Sequence, residues 1–307
     1  MAGAACVTQQ RLGRLYDWER RGCAYGEGMA QIPSYHLNDD TTIPAIGFGT
    51  YPLRGEDGTE AIRTAIEAGY RLVDTAVNYE NEVEVGEAIR RSGVPRDELV
   101  VASKIPGRHH AYDDAIASVR ASLDRLGLER TDLHLIHWPN PSRAKYVEAW
   151  RALVQLQKDG LVRSIGVSNF TEEHLERIID ATGITPAVNQ VELHPRFPQE
   201  RMREVHDRLG IRTEAWSPMG KRRAPLEEDA VRTAAEAHDV SPGQVILRWH
   251  VQLGSLPIPK SADPARQAQN LDVFGFELTD DEVEAISGLA EPGGRLFGGD
   301  PDTHEEM

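Results

Sequence analysis

Residues 99–138, LVVASKIPGRHHAYDDAIASVRASLDRLGLERTDLHLIHW, hold the unit from which the architecture of the whole chain can be read. Two short apolar runs, LVVASKI (99–105) and DLHLIHW (132–138), flank a stretch of different period, DDAIASVRASLDRLG (113–127). In that stretch Ile116, Val119, Leu123 and Leu126 fall on one face of a helix, and Gly127 is placed to end it. Short apolar runs bounded by turn residues are strands buried on both faces, so the unit reads as strand, helix, strand. Each strand closes on an ionisable group near its C-terminal end, Lys104 on the first and His137 on the second.

The same alternation continues on either side. Six more strand candidates are AIGFGTY (45–51), RLVDTA (71–76), SIGVSN (164–169), AVNQVEL (187–193), RTEAWSP (212–218) and SLPIPKS (255–261). KYVEAWRALVQLQKDG (145–160) repeats the helical period, with Val147, Trp150, Leu153, Val154 and Gln157 on the expected apolar face before Gly160. Eight such alternations in about 260 residues describe an α/β (β/α)8 barrel. A doubly wound open sheet is the rival. It would want a Gly-rich phosphate loop opening a helix, which GFGTYPLRG (47–55) does not provide. SYHLNDDTTIPAIG (34–47) predicts an N-terminal hairpin turning at residues 38–40. The domain is expected to span residues 29–307, with an extra helix near its C-terminus. Residues 1–28 lack a sustained period and read as an extension without regular order, Met29 being an alternative start; the competing reading is a docked helix built on Leu12, Leu15 and Trp18.

Composition narrows the function classes. The chain has 307 residues, 40% of them hydrophobic, enough to bury a large core. A formal net charge of −15 disfavours nucleic-acid partners. Only Cys6 and Cys23 are present, both ahead of the barrel, so no disulfide framework holds it and a reducing cytoplasm suits the chain. No apolar run approaches the roughly 20 residues of a membrane span. His109, His110 and His194 show no metal-ligand spacing, and no coiled-coil pattern asks for a partner, which makes monomer the default.

In (β/α)8 barrels the chemistry gathers where the strands end. Here those ends carry Gly49 and Thr50, Asp74, Lys104, His137, Ser168 and Asn169, Gln190, Trp216 and Ser217, and Lys260 and Ser261. A ring of polar groups converging on one mouth implies a polar ligand. Asp74, Tyr79, Lys104 and His137 together can form one proton-donating unit. A carbonyl that accepts a hydride gathers negative charge on oxygen and needs a proton donor and a stabiliser. Tyr79 is the expected general acid. Lys104 would favour its phenolate and ease proton release, Asp74 would hold Lys104, and His137 would orient the carbonyl. Taken singly, each has a plainer explanation: a salt bridge at the barrel mouth, a packed aromatic, a satisfied core histidine.

The motifs GFGTY (47–51), DTAVNYENEVEVGEAI (74–89), ASK (102–104), LIHWP (135–139), GVSNF (166–170), NQVELHP (189–195), AWSPMG (215–220) and IPKSADPARQAQNLDVFGFEL (258–278) follow in order. Together they resemble the aldo-keto reductase superfamily, of the diketogluconate-reductase and aldose-reductase kind, from about Ile43 to Leu289. The resemblance implies an NADP-dependent oxidoreductase of the carbonyl-reductase or alcohol-dehydrogenase type, acting on a small-molecule carbonyl. Its implied cofactor contacts are Gly49, Thr50 and Asp74 at the mouth, with Ser168, Asn169 and Gln190 on the nicotinamide carboxamide. Trp216 would stack on the ring, Ser217 and Met219 would wrap the pyrophosphate, and Lys260, Ser261, Arg266, Gln269 and Asn270 would hold the adenosine end. NADPH is the expected cofactor. Asp263, beside the implied 2′-phosphate, would repel that dianion and let NADH compete. Tyr51, Asn78, His137 and Trp138 match substrate-lining positions, and Pro106 stands where many relatives carry an aromatic. Two other classes stay open: a lyase using Lys104 as a Schiff-base nucleophile, and a non-catalytic cofactor-binding barrel.

Overall fold

The computed structural model describes residues 32–306. The N-terminal extension and its alternative helix lie outside the described residues. A two-stranded antiparallel hairpin comes first, β1 (Ser34–His36) and β2 (Thr42–Pro44). Eight parallel strands follow: β3 (Phe48–Gly49), β4 (Leu72–Asp74), β5 (Val100–Ile105), β6 (Thr131–Ile136), β7 (Val162–Ser168), β8 (Val188–Glu192), β9 (Arg212–Trp216) and β10 (Leu256–Pro257). Each pairs with its neighbours in chain order, from β3 to β10. Backbone bonds from Gly47 N to Pro257 O and from Gly49 N to Pro259 O, both 3.0 Å, join the last strand to the first and close the barrel. The closing ladder is short because Pro257 and Pro259 have no N–H to return. With the sheet closed in this order, the doubly wound alternative falls away.

The crossover helices are α1 (Gly55–Glu67), α2 (Glu82–Ser92), α3 (Tyr112–Leu126), α4 (Tyr146–Lys158), α5 (Glu172–Thr182) and α6 (Glu200–Leu209). Two helices, α7 (Asp229–His238) and α8 (Pro242–Gln252), lie between β9 and β10; α9 (Pro264–Leu271) and the extra helix α10 (Asp280–Ser287) follow. The predicted helix over 113–127 is α3, and Gly127 caps it in the left-handed region at φ 66°. On α4 the buried face is rotated from the expected one. Tyr146, Ala149, Trp150, Ala152, Leu153 and Leu156 are buried, while Val147, Val154 and Gln157 sit at its edge, because small alanines let the helix press closer to β6 and β7. Close approach also explains Gly86 on α2: a Cβ there would lie 2.1 Å from the Leu126 carbonyl oxygen. No described helix is long and apolar enough to cross a membrane.

β5 is buried from its second residue on and β6 throughout, as expected for strands covered on both faces. The hairpin plugs one end of the barrel. Tyr35, Leu37 and Ile43 pack against Leu72, Leu133 and Leu256 near the strand N-termini, and Asn38 Nδ2 bonds Pro186 O at 2.9 Å. Among the described residues, the hairpin leaves the opposite end, where the strands finish, open to a ligand.

Candidate active site

Strand register brings the mouth together. Gly49 is level with Asp74 and Asp74 with Ala102, while Lys104 is level with Leu135. Past the strands the ladder continues through Thr50 N to Asp74 O (3.1 Å), His137 N to Ile105 O (3.0 Å) and Asn169 N to Gln190 O (2.9 Å), so these loops leave the barrel at fixed angles. Tyr79 lies in a 3-10 turn, residues 77–79, after β4. Buried Asn81 pins that turn. Its Nδ2 donates to Thr50 O and Leu53 O (3.1 and 2.9 Å), and its Oδ1 accepts from Thr75 Oγ1 at 2.6 Å. Sequence reasoning missed Asn81; Asn two residues after a tyrosine carries no signal of its own.

Lys104 is wholly buried, and its ammonium spends its donors on four oxygens. Nζ lies 2.6 and 2.7 Å from the Asp74 carboxylate oxygens, 2.9 Å from Thr75 O and 3.4 Å from Tyr79 Oη. Burial opposes the charge, but Asp74 and Tyr79 outweigh it and hold the ammonium above its ordinary pKa. A lysine so held is a poor amine nucleophile, which weakens the Schiff-base alternative.

Lys104 acts on Tyr79 in the expected direction, favouring its phenolate, but it does not set the balance. Burial dominates, and the negative charges of Asp74 and Glu306 add to it. Against them the long contact from Lys104 is insufficient, and the phenol is pushed up to about 12. Tyr79 therefore keeps its proton across the physiological range. His137 meets it edge-on, with ring centroids 5.7 Å apart, and Tyr51 lies 5.2 Å away on another side.

Beneath Asp74 lies a second acid that the sequence did not single out. Gln190 Nε2 donates to Asp74 Oδ1 at 2.9 Å and to Glu214 Oε1 at 3.0 Å. Glu214 is fully buried, and its Oε2 has no partner. Burial, then the charge of Asp74, lifts its carboxyl to about 8.

The other implied cofactor residues are placed as follows. Ser168 Oγ donates to Gln190 O (2.8 Å), and Asn169 Nδ2 donates to Ser168 Oγ (3.0 Å) and His137 O (3.1 Å). Trp216 Nε1 donates to Asn169 Oδ1 (2.8 Å). Asn169 at φ 61° and Ser217 at φ 51° hold left-handed backbone at this rim, a local strain that suits a built site. Met219 packs between two core clusters beneath its loop, so its side chain is committed to packing. Lys221 is exposed at this rim, and its pKa is held down by partial desolvation, with Glu192 opposing and Lys260 reinforcing the shift.

The α9 end is built as follows. Asp263 is the N-cap of α9, and its Oδ1 accepts from Ala265 N (2.8 Å) and Arg266 N (3.2 Å). Its carboxylate thus caps the helix N-terminus. Arg266 leans back toward it, at 3.7 Å. Asn270 is buried, the Tyr70 hydroxyl nearby donates to Gln267 O at 3.4 Å, and Gln269 lines an open groove of about 460 Å³ between α7, α8 and α9 that shares no residue with the mouth. The internal anchor is Gln267, unremarked in the sequence: Nε2 donates to Ser261 O (2.9 Å) and Ala61 O (2.8 Å), which fixes the β10 loop to α1.

The tail closes over this mouth. Phe297 lies over Trp216, with ring centroids 6.3 Å apart and planes at 26°, and Lys221 Nζ is 4.4 Å from the Phe297 ring. His304 packs against Trp138, with ring centroids 4.1 Å apart and planes tilted by 46°. Glu306 reaches the centre: its Oε1 is 2.7 Å from His137 Nδ1 and accepts from Asn78 Nδ2 at 2.8 Å. Arg108 bonds the Asn78 Oδ1 alongside.

Known proteins resemble this chain in sequence and in fold. A family model described as the Aldo/keto reductase family matches residues 45–291. The 2,5-diketo-D-gluconic acid reductase B of Corynebacterium sp. is 61% identical over 279 residues, covering 91% of this chain and all of the relative. The crystal structure of a Gox0644 variant in complex with NADPH is similar at a TM-score of 0.86 and 43% identity, covering 90% of this chain and 100% of that one. A Bombyx mori aldo-keto reductase in complex with NADP aligns at a TM-score of 0.80 and 36% identity, over 85% of this chain and 94% of that one. With the closed barrel and a match over most of its length, the chain belongs to the aldo-keto reductase family.

Proposed function

We propose that this chain reduces a small carbonyl compound to an alcohol at the expense of NADPH, with Tyr79 as the proton donor. The observation that carries the reading is the buried line from Asp74 through Lys104 to the Tyr79 hydroxyl, which opens beside His137. The donor set at the rim fits a dinucleotide phosphate: Trp216 offers a flat aromatic face, Lys221 and Lys260 add two cations, and Ser261 adds a hydroxyl. When bound, the nicotinamide would supply the hydride. NADPH is favoured because the Gox0644 complex and the Bombyx mori complex carry NADPH and NADP.

The residues would then act as follows. Tyr79 holds its proton until an oxygen beside it gathers negative charge, and then releases it to that oxygen. Lys104, 3.4 Å away, stabilises the phenolate left behind. Asp74 and the Thr75 carbonyl keep the ammonium in position, and Gln190 ties Asp74 to the barrel interior. His137, edge-on to the phenol, orients the oxygen that receives the proton. The identity to the diketogluconate reductase supports an acidic, sugar-derived carbonyl as the substrate class.

The test is to follow NADPH and NADH oxidation over a panel of aldehydes, ketones and keto acids derived from sugars. The reading expects NADPH-dependent turnover with an equal amount of alcohol formed. Tight NADPH binding with no oxidation across the panel would instead favour a non-catalytic binding barrel, and borohydride trapping of a carbonyl on Lys104 would favour the lyase.

A further inference from the structure

β8 ends on a buried carboxylate that the proposed chemistry does not use. Glu192 is 1% exposed and stands level with Trp216 on the neighbouring strand. Its Oε1 accepts from Leu296 N at 2.6 Å and lies 3.0 Å from His194 Nε2, its backbone oxygen accepts from Gln199 Nε2 at 3.0 Å, and its Oε2 has no partner among the described residues. Leu296 belongs to the tail, 104 residues further along the chain. That tail approaches over the β8 loop. Glu291 N donates to Arg196 O at 3.1 Å, a Cβ at Gly294 would lie 2.1 Å from the same oxygen, and Arg295 sits over the Phe197 ring at 4.8 Å. The bond to Glu192 then ties the tail to the strand end itself, and the next residue is Phe297. Its ring lies over Trp216 yet is 63% exposed, so its place is set more by the backbone behind it than by packing. Lys221 carries the line across the mouth: Nζ is 4.4 Å from the Phe297 ring and 5.8 Å from the Tyr51 ring, and Tyr51 lies 5.2 Å from Tyr79.

Burying a carboxylate where a neutral amide could accept the same bond is unfavourable, so the charge calls for a reason. Two are visible. A charged acceptor strengthens the bond from Leu296 N, and the same charge attracts Lys221, whose ammonium reaches the Phe297 ring. We propose that Glu192 is a positioning residue: by holding Leu296 it places Phe297 over Trp216, and so sets the wall of the entrance that runs from Trp216 through Lys221 to Tyr51 beside Tyr79. The proposal rests on reading this mouth as the carbonyl site. With the catch removed, a carbonyl compound loses apolar surface to pack against and binds less well. Asp74, Lys104 and Tyr79 keep their contacts with one another, so the chemical step proceeds at its former rate.

Fluorine NMR on the full chain labelled with 5-fluorotryptophan reads the wall directly. The Trp216 line is identified by its loss in Trp216→Phe, and its broadening by a dissolved neutral nitroxide reports how exposed that ring is. Glu192→Ala should expose Trp216 as much as Phe297→Ala does, and the double variant should show nothing beyond Phe297→Ala. Glu192→Gln keeps an acceptor for Leu296 N and should stay closer to the parent than to Glu192→Ala. Thermal melting establishes that each variant is folded; Leu296→Pro deletes the same bond from the tail side and carries the test where Glu192→Ala does not fold. A Trp216 line in Glu192→Ala as sheltered as the parent's, or a further increase in the double variant, overturns the inference. With NADPH and a carbonyl that the parent reduces, Glu192→Ala should raise KM about fivefold, the worth of one lost hydrogen bond, and keep kcat within about twofold. A fall in kcat at unchanged KM would also overturn it. If the parent turns over no carbonyl at all, the proposed reductase activity fails, while the fluorine line still decides the role of Glu192.

Discussion

Neutralising Asp74 with the least change of shape, Asp74→Asn, isolates the buried charge that organises the mouth. Three donor contacts converge on its carboxylate, two from Lys104 Nζ at 2.6 and 2.7 Å and one from Gln190 Nε2 at 2.9 Å. An asparagine has one acceptor oxygen; if that serves Gln190, its NH2 replaces the other oxygen and points a donor at the Lys104 ammonium. Lys104 is fully buried, so the stranded charge cannot be rehydrated without opening the barrel. Removing one partner of such a pair costs about 3–5 kcal/mol. Glu214 softens the loss, since its proton is held partly by the charge of Asp74, and without that charge it ionises more readily to face Lys104. The expected destabilisation is therefore near the lower end, about 3 kcal/mol, read from urea unfolding. Lys104→Met should cost a similar amount by stranding Asp74. The double variant Asp74→Leu with Lys104→Met removes both charges and should fall within about 1–2 kcal/mol of the parent. Additive losses in the double variant, or an Asp74→Asn protein within about 1 kcal/mol of the parent, would refute the claim that this pair is mutually dependent.

Other outcomes follow from the same geometry. Glu214 has its pKa raised from the ordinary 4.5 to about 8, so between those values the folded chain holds a proton that the unfolded chain releases. Its contribution to stability is complete below about pH 4.5 and is lost as pH rises toward 8, at about 1.4 kcal/mol per pH unit at most; Glu214→Gln should abolish that decline in a pH series of unfolding curves. Asp263→Asn keeps an N-cap while removing one negative charge beside the expected phosphate. It should tighten NADPH about fivefold in a fluorescence titration and leave NADH unchanged, corresponding to a surface charge worth about 1 kcal/mol; equal changes for both cofactors would contradict a phosphate at that end.

What could be read in advance depended on how local its cause was. β5, α3 and β6 were legible because burial on both faces and a one-faced helix leave opposite periodicities, and because Gly127 has few alternatives to a left-handed cap. The nearness of Asp74 and Lys104 followed from adjacent parallel strands, whose ends must meet. The balance at Tyr79 did not, since it turns on a 3.4 Å separation weighed against burial, and sequence reports neither. Glu306 was illegible for a different reason: residues 290–306 contain no regular strand or α-helix, and the carboxylate reaches His137 across a separation of 169 residues with no period to announce it. Asp263 was read as a charge because its rule as a cap competes with its proximity to a phosphate, and backbone geometry, not composition, resolves which applies. Glu214 sits in RTEAW, where strand alternation alone does not tell an inward acid from an outward one.

The central claim is that the Tyr79 hydroxyl delivers the proton. Its most direct test is Tyr79→Phe, which deletes one oxygen and leaves the ring against Tyr51 and His137. With a carbonyl that the parent chain reduces, kcat should fall by about 10²–10⁴-fold while the Kd for NADPH stays within about twofold. A Tyr79→Phe protein that keeps turnover within a few-fold of the parent would contradict the account.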